Sequence, residues 1–304
     1  MSQDPGQKYL NNATNFVTAR HETYAYIDPS KFDLKGKNVF ITGASKGVGK
    51  AAALSYAKAG ASGIAIAARS SLDAVAQEVE EAAQSAGRSK PNVLTIKIDV
   101  TDRASVEAAA GKVSAAFDGR LDILINNAGY LSSFAGIAET EPDEWWTDWE
   151  VNVKGVYLTT RFFWRLLLAS PTKIVINVSS IGACMMTPES SAYSCTKLAI
   201  NRFTEFLNQD HGPGKDGVVA VAVHPGGVAT ELAHGMPEHI HEFLVDTPEL
   251  AGDTFMWLGA VRREWLGGRY ISAAWDLEEL EQRREDVLKG DLLKVRLAVN
   301  LFLS

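Results

Sequence analysis

The sequence contains few cysteines, no excess of positive charge and no long apolar run. Its two cysteines, Cys184 and Cys195, match neither a CxxC pair nor a zinc-ligand spacing, so no disulfide framework or metal site is expected from them. The net charge of -7 argues against partners such as nucleic acid or an anionic membrane. No stretch approaches the roughly eighteen apolar residues of a spanning helix, and no signal peptide is visible. We therefore expect reduced thiols and a cytoplasmic location.

The rest of the composition is that of an ordinary globular protein. The 304 residues are 46% hydrophobic, which is enough for a large core. Apolar stretches of strand length alternate with helical stretches. This alternation predicts the α/β class, with a doubly wound parallel sheet of the Rossmann type covered by helices on both faces. We expect one domain over residues 34–274, an N-terminal extension over 1–33 and a C-terminal helical extension over 275–304.

A glycine-rich turn follows the first predicted strand, residues 37–42. The segment Gly43-Ala-Ser-Lys-Gly47-Val-Gly49 comes next and leads into an alanine-rich helix. Glycines let a pyrophosphate approach backbone N–H groups at the positive end of a helix. A Walker A loop is excluded because Ala51 replaces the required hydroxyl after Lys50. The turn therefore predicts a dinucleotide site, and the alternative is a structural turn that binds nothing.

The second predicted strand, residues 63–68, is followed by a basic residue. Arg69 lies about twenty residues beyond the glycines, where NAD-binding proteins place a carboxylate on the ribose 2′-hydroxyl. Arg69 and Lys46 are instead suited to the extra phosphate of NADP, Arg with its planar fork and Lys as a point charge. Two solvated basic side chains are the alternative. We predict NADP rather than NAD.

A tyrosine and a lysine are predicted to lie on one face of a helix. Tyr193 and Lys197 are four residues apart. A neighbouring cation lowers the pKa of a tyrosine from ~10, and a shift of about 3 units needs roughly 4 kcal/mol. The result would be a general acid/base near neutral pH, with Ser180 beside it. The alternative is a half-buried tyrosine next to a snorkelling lysine. The GxSxG elbow of serine hydrolases is absent, since Val178 precedes the serines.

Polar side chains are expected at the carboxyl ends of the strands, where ligands bind in such sheets. Asp99 and the segment 126–129 stand at two of these ends, and a glycine-proline corner at 225–230 stands at a third. Asn152 interrupts an apolar stretch of a long helix predicted over 143–167. A buried asparagine must find hydrogen-bond partners.

Residues 231–247 are predicted to form a mobile lid. The segment contains Met236 and Phe243 together with three histidines, at 234, 239 and 241. Their spacing is not that of HExxH, so no metal is predicted.

Taken in order, these motifs resemble the short-chain dehydrogenase/reductase family over about residues 34–274. The matching segments are TGASKGVG (42–49), Asp99-Val100, NNAG (126–129), Asn152, Ser180, the YxxxK of Tyr193 and Lys197, and HPGGVAT (224–230).

The resemblance implies a role for each catalytic position. Tyr193 would exchange a proton with the substrate oxygen, and Lys197 would hold the nicotinamide ribose and lower the pKa of Tyr193. Ser180, rather than Ser179, would orient the carbonyl. Asn152 would anchor a chain of waters from the lysine to bulk solvent.

The resemblance also implies a set of NADP(H)-binding residues along the same edge of the sheet. They are Gly43, Ser45, Lys46, Gly47, Val48, Gly49, Arg69, Asp99, Val100, Asn126, Ala128, Gly129, Tyr193, Lys197, Pro225, Gly226, Val228 and Thr230. Family members form dimers or tetramers through two long helices, here 143–167 and 190–210, so a homodimer or homotetramer is expected.

The function expected from these residues is a ketoreductase that interconverts a ketone and a secondary alcohol. A hydrophobic small-molecule substrate is predicted, in a tailoring step of secondary metabolism, because the expected pocket wall is apolar and contains sulfur. The residues of that wall are Tyr130, Leu131, Ser180, Cys184, Met185, Met186, Met236 and Phe243. Two alternatives are a non-redox enzyme (cyclisation, dehydration or isomerisation) with bound NADP(H), and a catalytically silent cofactor-binding protein.

Overall fold

Seven apolar stretches form the strands of one parallel sheet in the computed structural model, which describes residues 16–297. The strand order is β3-β2-β1-β4-β5-β6-β7, and every pairing is parallel. The strands are β1 (Asn38–Thr42), β2 (Gly63–Ala68), β3 (Asn92–Lys97), β4 (Ile123–Asn126), β5 (Ile174–Val178), β6 (Val219–His224) and β7 (Arg269–Ser272). The predicted doubly wound sheet of the Rossmann type is therefore confirmed. Its strand order reverses between β1 and β4, where such sheets bind ligands.

Helices follow the strands and cover both faces of the sheet. Within residues 16–297 the α-helices are α1 (Gly47–Lys58), α2 (Asp73–Ser85), α3 (Arg103–Ala116), α4 (Pro142–Trp149), α5 (Val156–Leu168), α6 (Ser191–His211), α7 (Glu238–His241), α8 (Pro248–Ala260), α9 (Leu277–Gln282) and α10 (Arg284–Lys289). In the same part of the chain, no helix has the length and apolar character needed to cross a membrane.

The residues of β1 show why the sequence folds into this arrangement. Every residue of β1 is buried, as expected for a strand covered on both faces. Successive side chains point to opposite faces, so Val39 and Ile41 enter one core while Phe40 enters the other. Phe40 stacks on Phe163 of α5 with ring centroids 4.2 Å apart. This double core fixes the carboxyl edge of the sheet.

The first and last described segments pair with each other. Ala19 and Trp275 form an antiparallel bridge, and the Arg20 guanidinium donates to the Asp276 carboxylate at 2.8 Å through Nε. Val17 and Ile27 are buried in the core. The N-terminal segment from residue 16 therefore contributes to the packing of the main sheet domain.

The long helix predicted over 143–167 is present, but it is not α-helical throughout. A π-helical segment, Glu150–Gly155, separates α4 from α5. A π turn carries an extra residue per turn, which changes the direction of the side chains that follow it. The apolar spacing of the sequence does not report which carbonyl accepts each N–H, so the segment was not foreseen. Asn152 lies inside it.

Candidate active site

Loops from four strands meet at the carboxyl edge of the sheet. The Asn127 amide after β4 donates to the Thr42 and Gly43 carbonyls after β1, at 2.9 and 3.1 Å. Thr230, after β6, approaches the glycine turn so closely that a Cβ at Gly47 would lie 3.0 Å from its methyl group. The predicted cofactor loops are thus packed against one another.

The glycine turn has the shape that a dinucleotide phosphate requires. Gly43 and Gly47 have φ of 67° and 55°, which L side chains rarely adopt. A Cβ at Gly49 would lie 2.4 Å from the Gly43 carbonyl oxygen. No side chain caps the start of α1, where Lys46 is the N-cap residue. Free N–H groups at a helix start favour an anion, so the residues fit the pyrophosphate of a nicotinamide cofactor.

Two basic residues stand beside the turn. Arg69 follows β2 and is exposed. Hydrogen bonds from Thr101 are the main cause that lowers the pKa of Asp99, and the charge of Arg69 contributes to the same shift. Lys46 forms an exposed ion pair with Glu231 of the predicted lid. Both cations are therefore at the same edge of the sheet as the glycine turn.

The remaining predicted cofactor residues differ in what their side chains do. Asn126 is buried, and its side chain bonds with Asn177 at 2.8 Å and Thr160 at 3.1 Å. Hydrogen bonds within the core therefore hold that side chain in place. Ser45, Ala128 and Gly129 lie in the loops at the edge, and Val48, Val100 and Val228 are buried beneath them.

Ser180, Tyr193 and Lys197 converge after β5. Ser180 caps a short 3₁₀ turn and hydrogen-bonds the Tyr193 hydroxyl. Lys197 is 4% exposed, donates to the Val178 carbonyl at 2.9 Å, and lies 5.4 Å from the centroid of the Tyr193 ring. Ser179 is turned away, since its hydroxyl bonds with Asn201 at 2.7 Å. The geometry thus places Ser180 beside Tyr193 and directs the Ser179 hydroxyl to Asn201.

The electrostatics of this group differ from the expectation in one respect. Burial raises the pKa of Tyr193 to about 12, and the hydrogen bond with Ser180 opposes this rise. Lys197 is not among the causes that set this pKa, because burial dominates and the ammonium is directed to the Val178 carbonyl. Burial also lowers the pKa of Lys197 to about 8. Tyr193 is therefore protonated at neutral pH and ready to act as an acid.

Asn152 connects the π-helical segment with the site. Its side-chain oxygen accepts from the Tyr130 N–H at 2.9 Å, and its amide donates to the Thr196 hydroxyl at 3.1 Å. The amide also lies 3.1 Å from the carboxylate of Asp148, which is fully buried. The sequence analysis missed Asp148. The available signal was an acid one helical turn before Asn152, between tryptophans.

The predicted substrate residues come from three segments of the chain and differ in exposure. Tyr130 and Leu131 follow β4, and the Tyr130 hydroxyl faces Glu144 of α4. Cys184 and Met185 follow the turn that Ser180 caps. Met186 is 97% exposed. Of the two lid residues, Met236 is half-buried and Phe243 is 64% exposed. The sulfur-containing side chains of this set thus lie after the turn that Ser180 caps and on the predicted lid, which also carries Phe243.

The far end of the predicted lid is held against the loop after β6. The Gly227 N–H donates to the Asp246 carboxylate at 2.6 Å, and Asp246 also contacts the His21 ring at 2.6 Å. A Cβ at Gly227 would lie 2.1 Å from the Phe243 carbonyl oxygen. Only a residue without a Cβ allows the lid backbone to come this close. Gly226 and Gly227 therefore let the lid residues Asp246 and Phe243 pack against the loop after β6.

Comparisons with known proteins agree with this architecture. A family model described as short chain dehydrogenase matches residues 37–240. The short chain dehydrogenase mpl6 of Monascus purpureus is 48% identical over 279 residues, which are 92% of this chain and 94% of mpl6. The short chain dehydrogenase andI of Emericella variicolor is 42% identical over 294 residues, 96% of this chain and 100% of andI.

Solved structures give the same result for the fold. The 3-ketoacyl-(acyl-carrier-protein) reductase from Brucella melitensis complexed with NADH is 27% identical, with a TM-score of 0.68 over 79% of this chain and 97% of its own. Levodione reductase is 23% identical, with a TM-score of 0.71 over 79% of this chain and 96% of its own. The second similarity bears on the fold alone.

Proposed function

The chain belongs to the short-chain dehydrogenase family, and we propose that it is an NADP(H)-dependent ketoreductase acting on a hydrophobic small molecule. The observation that carries the proposal is the convergence of Ser180, Tyr193 and Lys197 at the edge of the sheet that also holds the glycine turn. An acid/base group next to a dinucleotide site is what exchange between a ketone and a secondary alcohol needs.

Each of these residues has a separate role in the proposed reaction. The cofactor supplies or accepts the hydride at the carbon of the carbonyl group. In reduction, Tyr193 gives its hydroxyl proton to the substrate oxygen, and Ser180 donates a hydrogen bond to the same oxygen. Lys197, held by the Val178 carbonyl, supplies positive charge beside the tyrosinate that forms. The uncapped N-terminus of α1 would hold the pyrophosphate of the cofactor and so help to orient it toward the substrate.

The preference for NADP rests on the charge at the end of β2. Arg69 stands where a carboxylate would hold the 2′-hydroxyl of NAD, and Lys46 is the second cation at this edge. An arginine fork matches the oxygens of a phosphate. A carboxylate at that place would instead repel it. The proposed cofactor is therefore NADPH, in a reductive direction.

The proposed substrate is an apolar ketone, in a tailoring step of secondary metabolism. Cys184, Met185 and Met186 follow the turn that Ser180 caps, and together with Phe243 of the predicted lid they offer adaptable sulfur and aromatic surface. The reductase from Brucella melitensis, at 27% identity, is named for a ketoacyl substrate, which supports reduction of a carbonyl group here. We propose that the reaction takes place in the cytoplasm, without nucleic-acid or membrane partners.

The test is consumption of NADPH and of NADH with a panel of apolar cyclic and aromatic ketones. We expect turnover with NADPH and a fall of about 10²- to 10⁴-fold in kcat for Tyr193→Phe. Tyr157→Phe is the matched control, because Tyr157 is 52% exposed on α5. Tight NADPH binding with no oxidation by any ketone would contradict the proposal and favour a non-redox reaction or a silent binding protein.

A further inference from the structure

Asp148 is a fully buried carboxylate in the last turn of α4. It stands one helical turn before Asn152, so both side chains project to the same side. Burying a carboxylate is costly unless the charge is compensated. The position therefore calls for a physical reason.

The hydrogen bonds of this carboxylate come from neutral donors. One oxygen accepts from the Asn152 amide at 3.1 Å, and the other accepts from the Ser132 N–H at 3.1 Å. These bonds join the loop after β4 to the π-helical segment. The Asn152 amide in turn reaches the Thr196 hydroxyl on α6, one residue before Lys197. Asp148 thus holds three elements around the catalytic lysine.

The charge of Asp148 acts on both catalytic groups. Among residues 16–297 Asp148 has no ion pair within contact distance, and the cation that acts on it is Lys197 of α6. Burial raises the pKa of Asp148, and the hydrogen bonds from Ser132 and the charge of Lys197 oppose this rise, while Glu144 on the same helix adds to it. The charge of Asp148 in turn raises the pKa of Tyr193. Tyr130 is turned toward Glu144. The charge of Asp148 therefore acts on both Lys197 and Tyr193.

We propose that Asp148 is a positioning residue of the reaction: it fixes Asn152 and the loop after β4, and its charge keeps Lys197 cationic beside Tyr193. The proposal rests on the proposed function, since it assigns Asp148 to that reaction. A neutral amide in the same place could accept a hydrogen bond but would lack the charge. The two hydrogen bonds favour a carboxylate, which has an acceptor at each oxygen, and the negative charge adds an effect on Lys197 that no amide could supply.

The sign of the effect follows from the neighbouring groups. Burial lowers the pKa of Lys197 to about 8, and the charge of Asp148 opposes that fall. Without this charge the pKa of Lys197 would fall further, so the lysine would lose its proton at a lower pH. The same charge raises the pKa of Tyr193, which would also fall. Both changes would move the alkaline loss of ketone reduction to lower pH.

The kinetic test compares the pH dependence of kcat/KM for ketone reduction. The unmodified enzyme should lose activity above about pH 8. Two neutral variants, Asp148→Asn and Asp148→Ser, should move this loss to lower pH by about 1 unit. Asp148→Glu keeps the negative charge, so the alkaline loss of kcat/KM should stay near its original pH even if kcat falls. Asp143→Asn, the same change at an exposed position of α4, is the matched control.

A second measurement does not depend on turnover. NMR titration of ¹³C-labelled lysines should show one side chain that titrates near pH 8, assigned by its loss in Lys197→Arg. That titration should move to lower pH in Asp148→Asn and Asp148→Ser, and stay in place in Asp143→Asn. Circular dichroism identifies any variant that has not folded, and the second neutral variant then supplies the comparison.

The outcomes separate this proposal from the proposed function. If no ketone is reduced but the lysine titration moves as expected, the function is wrong and the charge coupling stands. If ketones are reduced and neither the pH profile nor the lysine titration differs between Asp148→Asn and Asp143→Asn, the proposal is overturned. A uniform loss of kcat at every pH, with the lysine titration unchanged, would overturn it too and show a purely structural carboxylate.

Discussion

Tyr193 keeps its proton at neutral pH because burial outweighs the hydrogen bond with Ser180. A tyrosine with a pKa of about 12 is a weak acid on its own, so the positive charge of Lys197 matters most when the phenolate forms. The sequence spacing placed the two residues on one face of α6, as the structure has them. Spacing could not give the depth of burial, and burial decides the direction of the pKa shift.

A single substitution tests the cofactor preference at the residue scale. Arg69→Asp replaces a cation at the end of β2 by the acid that an NAD site uses, so it repels the 2′-phosphate. We expect NADPH to bind about 10- to 100-fold more weakly while NADH binding is retained or improved. Fluorescence titration with both cofactors measures this. Lys112→Asp, an equal charge reversal at an exposed site of α3, is the control.

Unchanged NADPH affinity in Arg69→Asp would contradict the assignment of the 2′-phosphate to this residue. An equal loss of NADPH affinity in Lys112→Asp would show that the effect of Arg69→Asp comes from the overall charge of the protein. Lys46 would then need its own charge reversal, because its pairing with Glu231 makes it the other cation at this edge.

At the scale of elements, the glycine turn that joins β1 to α1 is packed too tightly for a side chain at Gly49. A Cβ at Gly49 would lie 2.4 Å from the Gly43 carbonyl oxygen and 2.5 Å from the Asn127 amide. We expect Gly49→Ala to lose NADPH binding and to be destabilised by about 1–3 kcal/mol, as overpacked sites are. Urea denaturation and cofactor titration measure the two effects.

Gly111→Ala is the matched control for that prediction. Gly111 lies within α3, and a Cβ there meets nothing within 4 Å. Alanine in a helix interior should stabilise the protein by about 1 kcal/mol, with NADPH binding unchanged. Normal stability and binding in Gly49→Ala would show that the turn is less constrained than its contacts indicate.

Elements were predicted well where one local signal decides them. The apolar runs of β1 and β2 predicted strands, and the glycines between β1 and α1 predicted the turn. The π-helical segment Glu150–Gly155 was missed because its hydrogen bonds shift by one carbonyl without changing which residues are apolar. Asp148 was missed for a related reason, since only the folded segment turns it inward. Its role depends on contacts with residues far along the chain.

At the scale of the whole molecule, two helices present apolar side chains to solvent. Tyr157 on α5 is 52% exposed, and Leu198 and Phe206 on α6 are 41% and 56% exposed. Exposed apolar side chains on neighbouring helices are typical of subunit interfaces. We propose that these helices join copies of the chain into a homodimer or homotetramer.

Phe206→Glu tests this proposal, because a charge in an apolar interface is left unpaired. We expect the variant to be a smaller oligomer or a monomer by light scattering, while the unmodified protein is a dimer or tetramer. Leu288→Glu, at a residue 46% exposed on α10, should not change the mass. A monomeric unmodified protein would disprove the proposal.

The pairing of the two terminal segments is also a property of the whole molecule. Both were predicted as extensions without an assigned role, because nothing local to residues 16–34 indicates a partner near residue 275. In the structure Arg20 meets Asp276, and Ala19 bridges to Trp275. Contacts between residues about 256 apart in sequence depend on the whole fold. Sequence patterns of short range do not report them.

The measurement that tests the central claim most directly is transfer of deuterium from NADPH labelled at the hydride position to a ketone. The account predicts an alcohol with one deuterium on the carbinol carbon, a hydroxyl proton from solvent, and one NADP⁺ for each alcohol, with the product analysed by mass spectrometry and NMR. Alcohol without deuterium, or labelled NADPH that remains unconsumed with every ketone that binds, would contradict the claim that this chain is a ketoreductase.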